Sequence, residues 1–256
     1  MVTAMATVFV KRRLPTLILG RHGSAIAPTL ICKRRLITSL TLYQFAKIST
    51  HRTLKMTSID LGLGLEGTHV VVTGAAGFIG SATVNTFLQA RANVTALDIN
   101  REKLSELKKH TNTSEKHANL YTILVDITSE SELEQAFELA RDHFGVAVQC
   151  CIALASLDLS VLPHHESIVD MTVEQWRRTH QVNVEGTFLT ARTWLRQIKA
   201  HAKPDLKNVS LIIVGSESGW FGERSNPDYA SGKSAVQVGL VQSLRGDVAR
   251  IHPGAR

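Results

Sequence analysis

Tyr229 and Lys233 stand four positions apart in the stretch Tyr-Ala-Ser-Gly-Lys. This spacing puts a phenol and an ammonium group on one face of a helix, where both can reach the same cleft. A free phenol, with a pKa of about 10, is a poor acid or base at neutral pH, and a nearby cation favours the phenolate. Tyr229 could then exchange a proton with an alcohol or a carbonyl compound while a nicotinamide exchanges the hydride.

Ser216 stands thirteen residues before Tyr229 and follows an apolar run that predicts a strand. Its hydroxyl could hydrogen-bond the same substrate oxygen. A Tyr-x-x-x-Lys pair alone is common, and a solvated helix face would also explain it. Together with Ser216 and a glycine-rich turn earlier in the chain, the pair predicts an acid/base site.

That glycine-rich turn follows three consecutive valines, which favour a central strand covered on both faces. Its glycines predict a tight turn, a close approach of backbone N–H groups to a pyrophosphate, and a helix N-terminus that favours the anion. An ordinary strand–helix turn is the alternative. The residues assigned to a dinucleotide site here are Thr73, Gly74, Gly77, Phe78, Ile79 and Gly80.

Asp98 closes the second predicted strand, where an acidic side chain would reach the adenosine ribose of a dinucleotide. A 2′-phosphate about 4 Å away would be disfavoured by about 4 kcal/mol at an effective dielectric of about 20. Asp98 therefore predicts NAD over NADP, although Arg101 is near enough to soften the preference. The alternative is that Asp98 only ends a strand and caps the next helix.

Asp126 and Ile127 end the third predicted strand, and we assign both to the cofactor site. The Asp126 carboxylate could accept a hydrogen bond from the adenine amino group. Asp-x-Thr sequences also begin helices, so a capping role is the alternative.

From Thr68 onward, strand and helix patterns alternate, which is typical of a doubly wound, Rossmann-type α/β fold with a parallel sheet. The predicted strands lie at residues 70–72, 93–98, 120–126, 147–153 and 208–215. The predicted helices run to about residue 90, over 101–110, from capping boxes at 129 and 172, and over 227–251.

The formal charge of +7 is concentrated in residues 1–59, which hold ten Lys and Arg and no acidic residue. The remaining 19 basic and 22 acidic residues make residues 60–256 slightly negative, which argues against nucleic acid as a partner. The leader composition resembles a mitochondrial presequence. We therefore expect a mitochondrial protein, or a cytoplasmic one if translation starts at Met56.

Cysteine, histidine and hydropathy patterns predict neither a metal site nor a membrane span. Cys150 and Cys151 are adjacent and suit core packing, and the three cysteines form no Cys-x-x-Cys motif. His164-His165-Glu166 lacks a third ligand. Apolar runs stay shorter than the roughly 18 residues that a membrane span needs.

These motifs together resemble the short-chain dehydrogenase/reductase family from about Leu65 onward. The resemblance implies that Thr73-Gly74, Gly77 and Gly80 form the cofactor loop, that Asp98 contacts ribose and that Asp126 contacts adenine. It also implies that Asn183 supports a proton-relay water, that Ser216 holds the substrate oxygen, and that Tyr229 and Lys233 act in catalysis and contact the cofactor. Lys233 would lower the pKa of Tyr229 and orient the ribose. The implied activity is NAD(H)-dependent interconversion of a secondary alcohol and a ketone, in a homo-oligomer built on two long helices.

The sequence departs from the family pattern at three places, and these departures leave alternative functions open. The Gly-x-x-Gly-x-x-Gly spacing resembles the extended branch of epimerases and dehydratases, so an isomerase or lyase with bound NAD is one alternative. The family's Asn-Asn-Ala-Gly is replaced by residues 152–155, so we do not expect its support of the fourth strand. The family continues beyond the position of Arg256, so we expect missing terminal strands and an unpaired apolar edge at 211–214. A truncated, non-catalytic nucleotide-binding protein is the second alternative.

Overall fold

The computed structural model describes residues 63–111 and 119–256, and the predicted leader at 1–59 lies outside them. Its centre is a five-stranded sheet in the order β3-β2-β1-β4-β5, with every neighbouring pair parallel. The doubly wound α/β fold is therefore confirmed. The strands are β1 (His69–Thr73), β2 (Asn93–Asp98), β3 (Leu120–Leu124), β4 (Cys150–Ala153) and β5 (Ser210–Ile213).

Helices connect the strands and cover both faces of the sheet. None of those within the described ranges is both long and apolar enough to cross a membrane. The helices are α1 (Phe78–Gln89), α2 (Arg101–Thr111), α3 (Glu130–Phe144), α4 (Val173–His180), α5 (Thr187–His201), α6 (Ser218–Phe221), α7 (Pro227–Ser234) and α8 (Val241–Ile251).

The three valines of β1 explain why the sheet needs helices on both sides. Successive side chains of a strand point to opposite faces. Val70 and Val72 pack in a core with residues of α1 and α2, whereas Val71 packs in a second core with α3, α5 and α8. All three valines are fully buried, so β1 is the central strand and carries the loop that follows it.

Two helices predicted as continuous contain π-helical segments. Gln181–Gly186 joins α4 to α5, and Ala235–Leu240 joins α7 to α8. Such segments are rare and occur often at functional sites. The four-residue helix α6 was not predicted, because so short a segment shows no helical period.

The free edge of β5 differs from the expectation of an unpaired strand. The N–H of Arg256 donates to the carbonyl of Val209 at 3.0 Å, and the N–H of Leu211 donates to the carbonyl of Arg256 at 3.0 Å. The chain thus returns to pair with the beginning of β5. Farther along the same strand, Ile212 remains 45% exposed.

Candidate active site

The residues singled out for chemistry meet at the carboxyl ends of the strands. In open α/β sheets, ligands bind in the crevice at this end of the sheet. The glycine loop follows β1, Asp98 ends β2, and Ser216 follows β5. Tyr229 and Lys233 lie on α7, which begins after the same β5 connection.

Two glycines shape the loop after β1. Gly74 has a φ of 66°, and a Cβ at this position would lie 2.7 Å from the Cα of Ala155. A Cβ at Gly80 would overlap the carbonyl oxygen of Gly74. Larger residues would therefore push the loop away from the strand and the helix.

The first turn of α1 is open to an anion. Its N-cap is Gly77, which has no side chain to occupy the amide groups of the helix N-terminus. Phe78 and Ile79, which begin the helix, are 95% and 46% exposed. A loop with this shape fits the pyrophosphate of a dinucleotide, because backbone N–H groups and the helix dipole favour phosphate here.

Asp98 links the second strand to this loop. Its Oδ2 accepts a hydrogen bond from the N–H of Ala76 at 2.9 Å, and its Oδ1 accepts from the N–H of Asn100 at 2.9 Å. The cap of α2 comes from Asn100 instead, whose Oδ1 accepts from the N–H of Lys103. Asp98 therefore carries a partly exposed negative charge at the predicted ribose position without capping the helix itself.

Thr73 supports the chain just after the fourth strand, where the family's Asn-Asn-Ala-Gly motif is absent. The residue is 1% exposed. Its Oγ1 accepts from the N–H groups of Leu154 and Ala155 at 3.1 and 3.2 Å. The hydroxyl thus ties the end of β1 to the loop after β4, and the cofactor contact expected of Thr73 stays a prediction.

Asn183 supports the same loop from the other side. Its Oδ1 accepts from the N–H of Leu157 at 2.8 Å, and its Nδ2 donates to the Leu157 carbonyl at 2.9 Å. Its own backbone carbonyl accepts from the hydroxyl of Thr187. The side chain is 1% exposed, so in this structure it holds Leu157 beside the site.

Asp126 lies in a local turn and Ile127 lies in the core, unlike the residues of the glycine loop. The Oδ1 of Asp126 accepts from the N–H and the hydroxyl of Thr128 at 2.9 and 2.8 Å, which is the capping turn kept open as the alternative. Ile127 is buried in the core, and a Cβ at Gly186 would lie 2.6 Å from its Cδ1. The side chain of Ile127 therefore packs under the π-helical segment.

Tyr229 is 8% exposed. Burial raises the pKa of its phenol above the usual value, and a hydrogen bond with the Ser216 side chain opposes that shift. The negative charges of Asp158 and Glu223 raise the pKa further. Tyr229 is therefore a protonated phenol at neutral pH, which differs from the expectation of a lowered pKa.

Lys233 is 6% exposed, and its Nζ donates to the carbonyl of Val214 at 3.0 Å. Burial lowers its pKa to about 8, and the charge of Asp158 acts in the opposite direction. The Nζ lies 5.7 Å from the centre of the Tyr229 ring. The cation is thus close to the phenol, but it is held by the end of β5.

Sequence reasoning missed three polar residues around Tyr229 and Ser216. Asp158 and Glu223 stand in irregular segments, where no local pattern marks them. Gln237 accepts a hydrogen bond from the N–H of Ser216 at 2.7 Å. Its position four residues after Lys233 was a usable signal, because that spacing repeats one helix face.

The histidine and cysteine groups take structural positions. The Nε2 of His165 lies 2.7 Å from the Oε1 of Gln175. Cys150 and Cys151 are buried free thiols whose pKa values are raised by burial. Within residues 63–111 and 119–256, no group of three His, Cys, Asp or Glu side chains has the arrangement of a metal site.

Comparison with known proteins gives a family match over residues 68–252, to the family described as short chain dehydrogenase. An uncharacterized oxidoreductase of Staphylococcus epidermidis is 29% identical over 184 residues, covering 70% of this chain and 71% of that protein. The dehydrogenase/reductase SDR family member 6 of Danio rerio is 30% identical over 183 residues, covering 72% of this chain and 66% of that protein.

Solved structures share the fold. The NAD+-bound xylitol dehydrogenase aligns with a TM-score of 0.66 at 22% identity, covering 75% of this chain and 68% of that one. A short-chain dehydrogenase/reductase from Brucella melitensis, described as glucose/ribitol dehydrogenase, aligns with a TM-score of 0.62 at 24% identity, covering 75% and 73%. At these identities the likeness extends to the fold and no further.

Proposed function

This chain belongs to the short-chain dehydrogenase family of NAD(P)-binding oxidoreductases, and we propose that it interconverts a secondary alcohol and a ketone with NAD(H). The observation that carries this proposal is the convergence of Ser216, Tyr229 and Lys233 at the ligand-binding end of the sheet, the end at which the glycine loop also lies. A proton donor, a hydroxyl and a cation at one place suit proton exchange at a substrate oxygen.

Tyr229 performs the proton transfer in this mechanism. Because burial raises its pKa, the phenol carries a proton at neutral pH and can donate it to a carbonyl oxygen. The Ser216 hydroxyl orients that oxygen by hydrogen bonding. The bound nicotinamide supplies or accepts the hydride. In the oxidation direction, Tyr229 takes the proton of the alcohol.

Lys233 is suited to assist this proton transfer. Its pKa of about 8 leaves it cationic at neutral pH but able to release a proton in mildly alkaline solution. A cation 5.7 Å from the ring centre stabilises a phenolate that forms transiently. We also assign to Lys233 the orientation of the cofactor ribose.

Asp98 supports NAD as the cofactor. Its carboxylate lies at the end of β2 and is fixed by two backbone N–H groups. No Lys or Arg occurs in the glycine loop at residues 74–80 to balance a 2′-phosphate. A carboxylate without a cationic partner in that loop disfavours NADP.

The glycine spacing favours a second candidate function. Gly-x-x-Gly-x-x-Gly is the pattern that resembles extended-branch epimerases and dehydratases. An isomerase or lyase of that kind would keep NAD bound and regenerate it in each turnover. A cofactor that co-purifies with the protein, together with product formation without net change in NADH, would favour this second function.

We propose further that the protein is a homo-oligomer formed through the face of α4 and α5. Trp176 and Phe188 are large apolar residues that remain 38% and 42% exposed there. They line an open cavity of about 650 Å³ along the two helices and the π-helical segment between them. Light scattering of the purified protein should give a mass above that of one chain, and Phe188→Glu should lower it.

The basic leader at residues 1–59 is proposed to direct the protein to mitochondria. Its ten basic residues and lack of acidic ones are the supporting observation. A fluorescent fusion of the full chain should enter mitochondria, whereas a fusion that begins at Met56 should stay in the cytoplasm. Deleting residues 1–55 should leave the melting temperature unchanged, since in the described part of the chain both cores form from residues after Thr68.

The proposed activity is tested with the full chain and a panel of secondary alcohols and ketones. NADH formation or consumption is followed by absorbance, and NADH and NADPH binding by fluorescence. Tyr229→Phe serves as the matched inactive variant. Turnover that disappears in the variant supports the proposal, and binding of NADH without turnover of any panel member points to the non-catalytic alternative.

A further inference from the structure

Two side chains from one stretch of helix hold the chain just after β5. Lys233 Nζ donates to the carbonyl of Val214 at 3.0 Å. Four residues later, in the π-helical segment, Gln237 Oε1 accepts from the N–H of Ser216 at 2.7 Å. The segment from Val214 to Ser216 is therefore fixed through one carbonyl and one N–H group.

The glycines on either side of Ser216 make room for Gln237. A Cβ at Gly215 would overlap the Oε1 of Gln237, and the three nearest atoms all belong to that side chain. A Cβ at Gly219 would lie 2.5 Å from its Nε2 and 2.8 Å from its Cδ. Both glycines have φ angles that other residues adopt. The space taken by Gln237 therefore requires glycine at Gly215, and at Gly219 the backbone nitrogen of Ser234, 2.9 Å from an added Cβ, contributes as well.

The Nε2 atom of Gln237 indicates that the Oε1 atom is the one with a function. Within the described part of the chain, the Nε2 of Gln237 is buried without a hydrogen-bond partner. An unsatisfied buried donor is unfavourable, and an apolar side chain of the same shape would avoid it. The Oε1 contact with Ser216 gives the amide a role that such a side chain could not fill.

We propose that Gln237 is a positioning residue that fixes the backbone of Ser216 and so keeps the Ser216 hydroxyl close to Tyr229. The hydroxyl oxygen of Ser216 also accepts from the N–H of Ser218 at 3.2 Å, which sets its direction once the backbone is fixed. The effect on turnover rests on the proposed function. The effect on the environment of Tyr229 is independent of the proposed function.

The first test observes Tyr229 directly. The chain has three tyrosines, so Tyr43→Phe with Tyr121→Phe leaves Tyr229 as the single label site for NMR of Cζ-labelled tyrosine. Gln237→Met, which keeps the shape and removes the acceptor, should move the Tyr229 signal at neutral pH and raise its titration midpoint. Gln242→Met, at an exposed position of α8, should change neither. A Tyr229 signal identical in Gln237→Met and the parent overturns the proposal.

A second test guards against a Gln237 variant that fails to fold. The methyl group of Gly215→Ala would overlap the Oε1 of Gln237 and lie 3.1 Å from its Cβ and Cδ, so it should displace Oε1 and reproduce the change in the Tyr229 signal. In a Gln237→Ala background the overlap with Oε1 is gone and only the Cβ of residue 237, at 3.1 Å, remains close to the new methyl group, so Gly215→Ala should have a much smaller effect. Equal effects of Gly215→Ala in both backgrounds would show that it does not act through Gln237.

Turnover separates this inference from the proposed function. If the parent oxidises a panel alcohol, Gln237→Met should lower kcat by roughly tenfold or more, with NADH affinity and melting temperature little changed. A moved Tyr229 signal in a chain without any turnover would support the positioning role and reject the dehydrogenase activity. Unchanged turnover and an unchanged Tyr229 signal in Gln237→Met would reject the positioning role alone.

Discussion

The carboxylate of Asp98 accepts a hydrogen bond from the N–H of Ala76 at 2.9 Å. The group proposed to choose between NAD and NADP therefore also holds the glycine loop that would bind the pyrophosphate. The Asp98 side chain thus affects both the cofactor preference and the shape of the glycine loop. Two substitutions can separate these effects. Asn removes the charge and keeps one of the two acceptor oxygens that hold the backbone N–H groups of Ala76 and Asn100, whereas Ser is too short to reach either.

For Asp98, we expect NADH to bind the parent at least about tenfold tighter than NADPH, because a 2′-phosphate beside the carboxylate is disfavoured. Asp98→Asn should narrow this ratio and lower the melting temperature moderately, because one of the two backbone N–H groups held by the carboxylate then faces the amide NH2 group. Asp98→Ser should narrow the ratio, weaken both cofactors and lower the melting temperature. Fluorescence titrations measure the affinities, and equal affinities in the parent would contradict the NAD assignment.

For Tyr229, substitution by Phe should abolish turnover of any substrate that the parent accepts. Cofactor binding should survive, because the phenol is not a phosphate contact. The matched control is Tyr121→Phe, whose ring stacks on His143 at 4.2 Å in edge strand β3, and which should keep full activity. Turnover retained in Tyr229→Phe would place the acid/base at another residue.

Thr73 gives a prediction for stability. Thr73→Val keeps the side-chain shape but removes the oxygen that accepts from the N–H groups of Leu154 and Ala155. Leaving these groups without a partner should lower the free energy of unfolding by about 1–3 kcal/mol. Urea denaturation measures the loss. Thr122→Val, on edge strand β3 and partly exposed, is the control and should change stability little. Equal losses of unfolding free energy in both variants would contradict the role assigned to the Thr73 hydroxyl.

His69 gives a prediction for pH dependence. The ring is fully buried between the carbonyl of Val146 and the hydroxyl of Thr95, and burial lowers its pKa from 6.5 to about 4. The unfolded chain therefore binds the proton first as pH falls. The contribution of neutral His69 to the free energy of unfolding is fully present above pH 6.5 and is lost as pH falls toward 4. The total loss below that range is about 3 kcal/mol.

His69→Gln removes the titrating group and keeps polar atoms in place. Its unfolding free energy should depend less steeply on pH between 6.5 and 4 than that of the parent. His110→Gln, at an exposed position on α2, is the control and should follow the parent. Parallel pH profiles for His69→Gln and the parent would assign the acid sensitivity to other groups.

Local chemistry along the chain was enough to predict the fold and the parts of the site that depend on spacing. Three valines, a glycine turn and alternating periods predict a central strand in a doubly wound sheet, because apolar periodicity and glycine conformation act over a few residues. Tyr229 and Lys233 fall on one helix face for the same reason. Asp98 follows from its place at the end of β2.

Tertiary structure decided which partner each polar group found. Lys233 reaches Val214, and Gln237 holds Ser216. Thr73 and Asn183 hold a loop some 80 and 26 residues away along the chain. Contacts of that range depend on how strands and helices pack, and a buried group takes the nearest unsatisfied donor or acceptor that packing provides. The raised pKa of Tyr229 has the same origin, since burial is a property of the folded chain and not of the Tyr-x-x-x-Lys spacing.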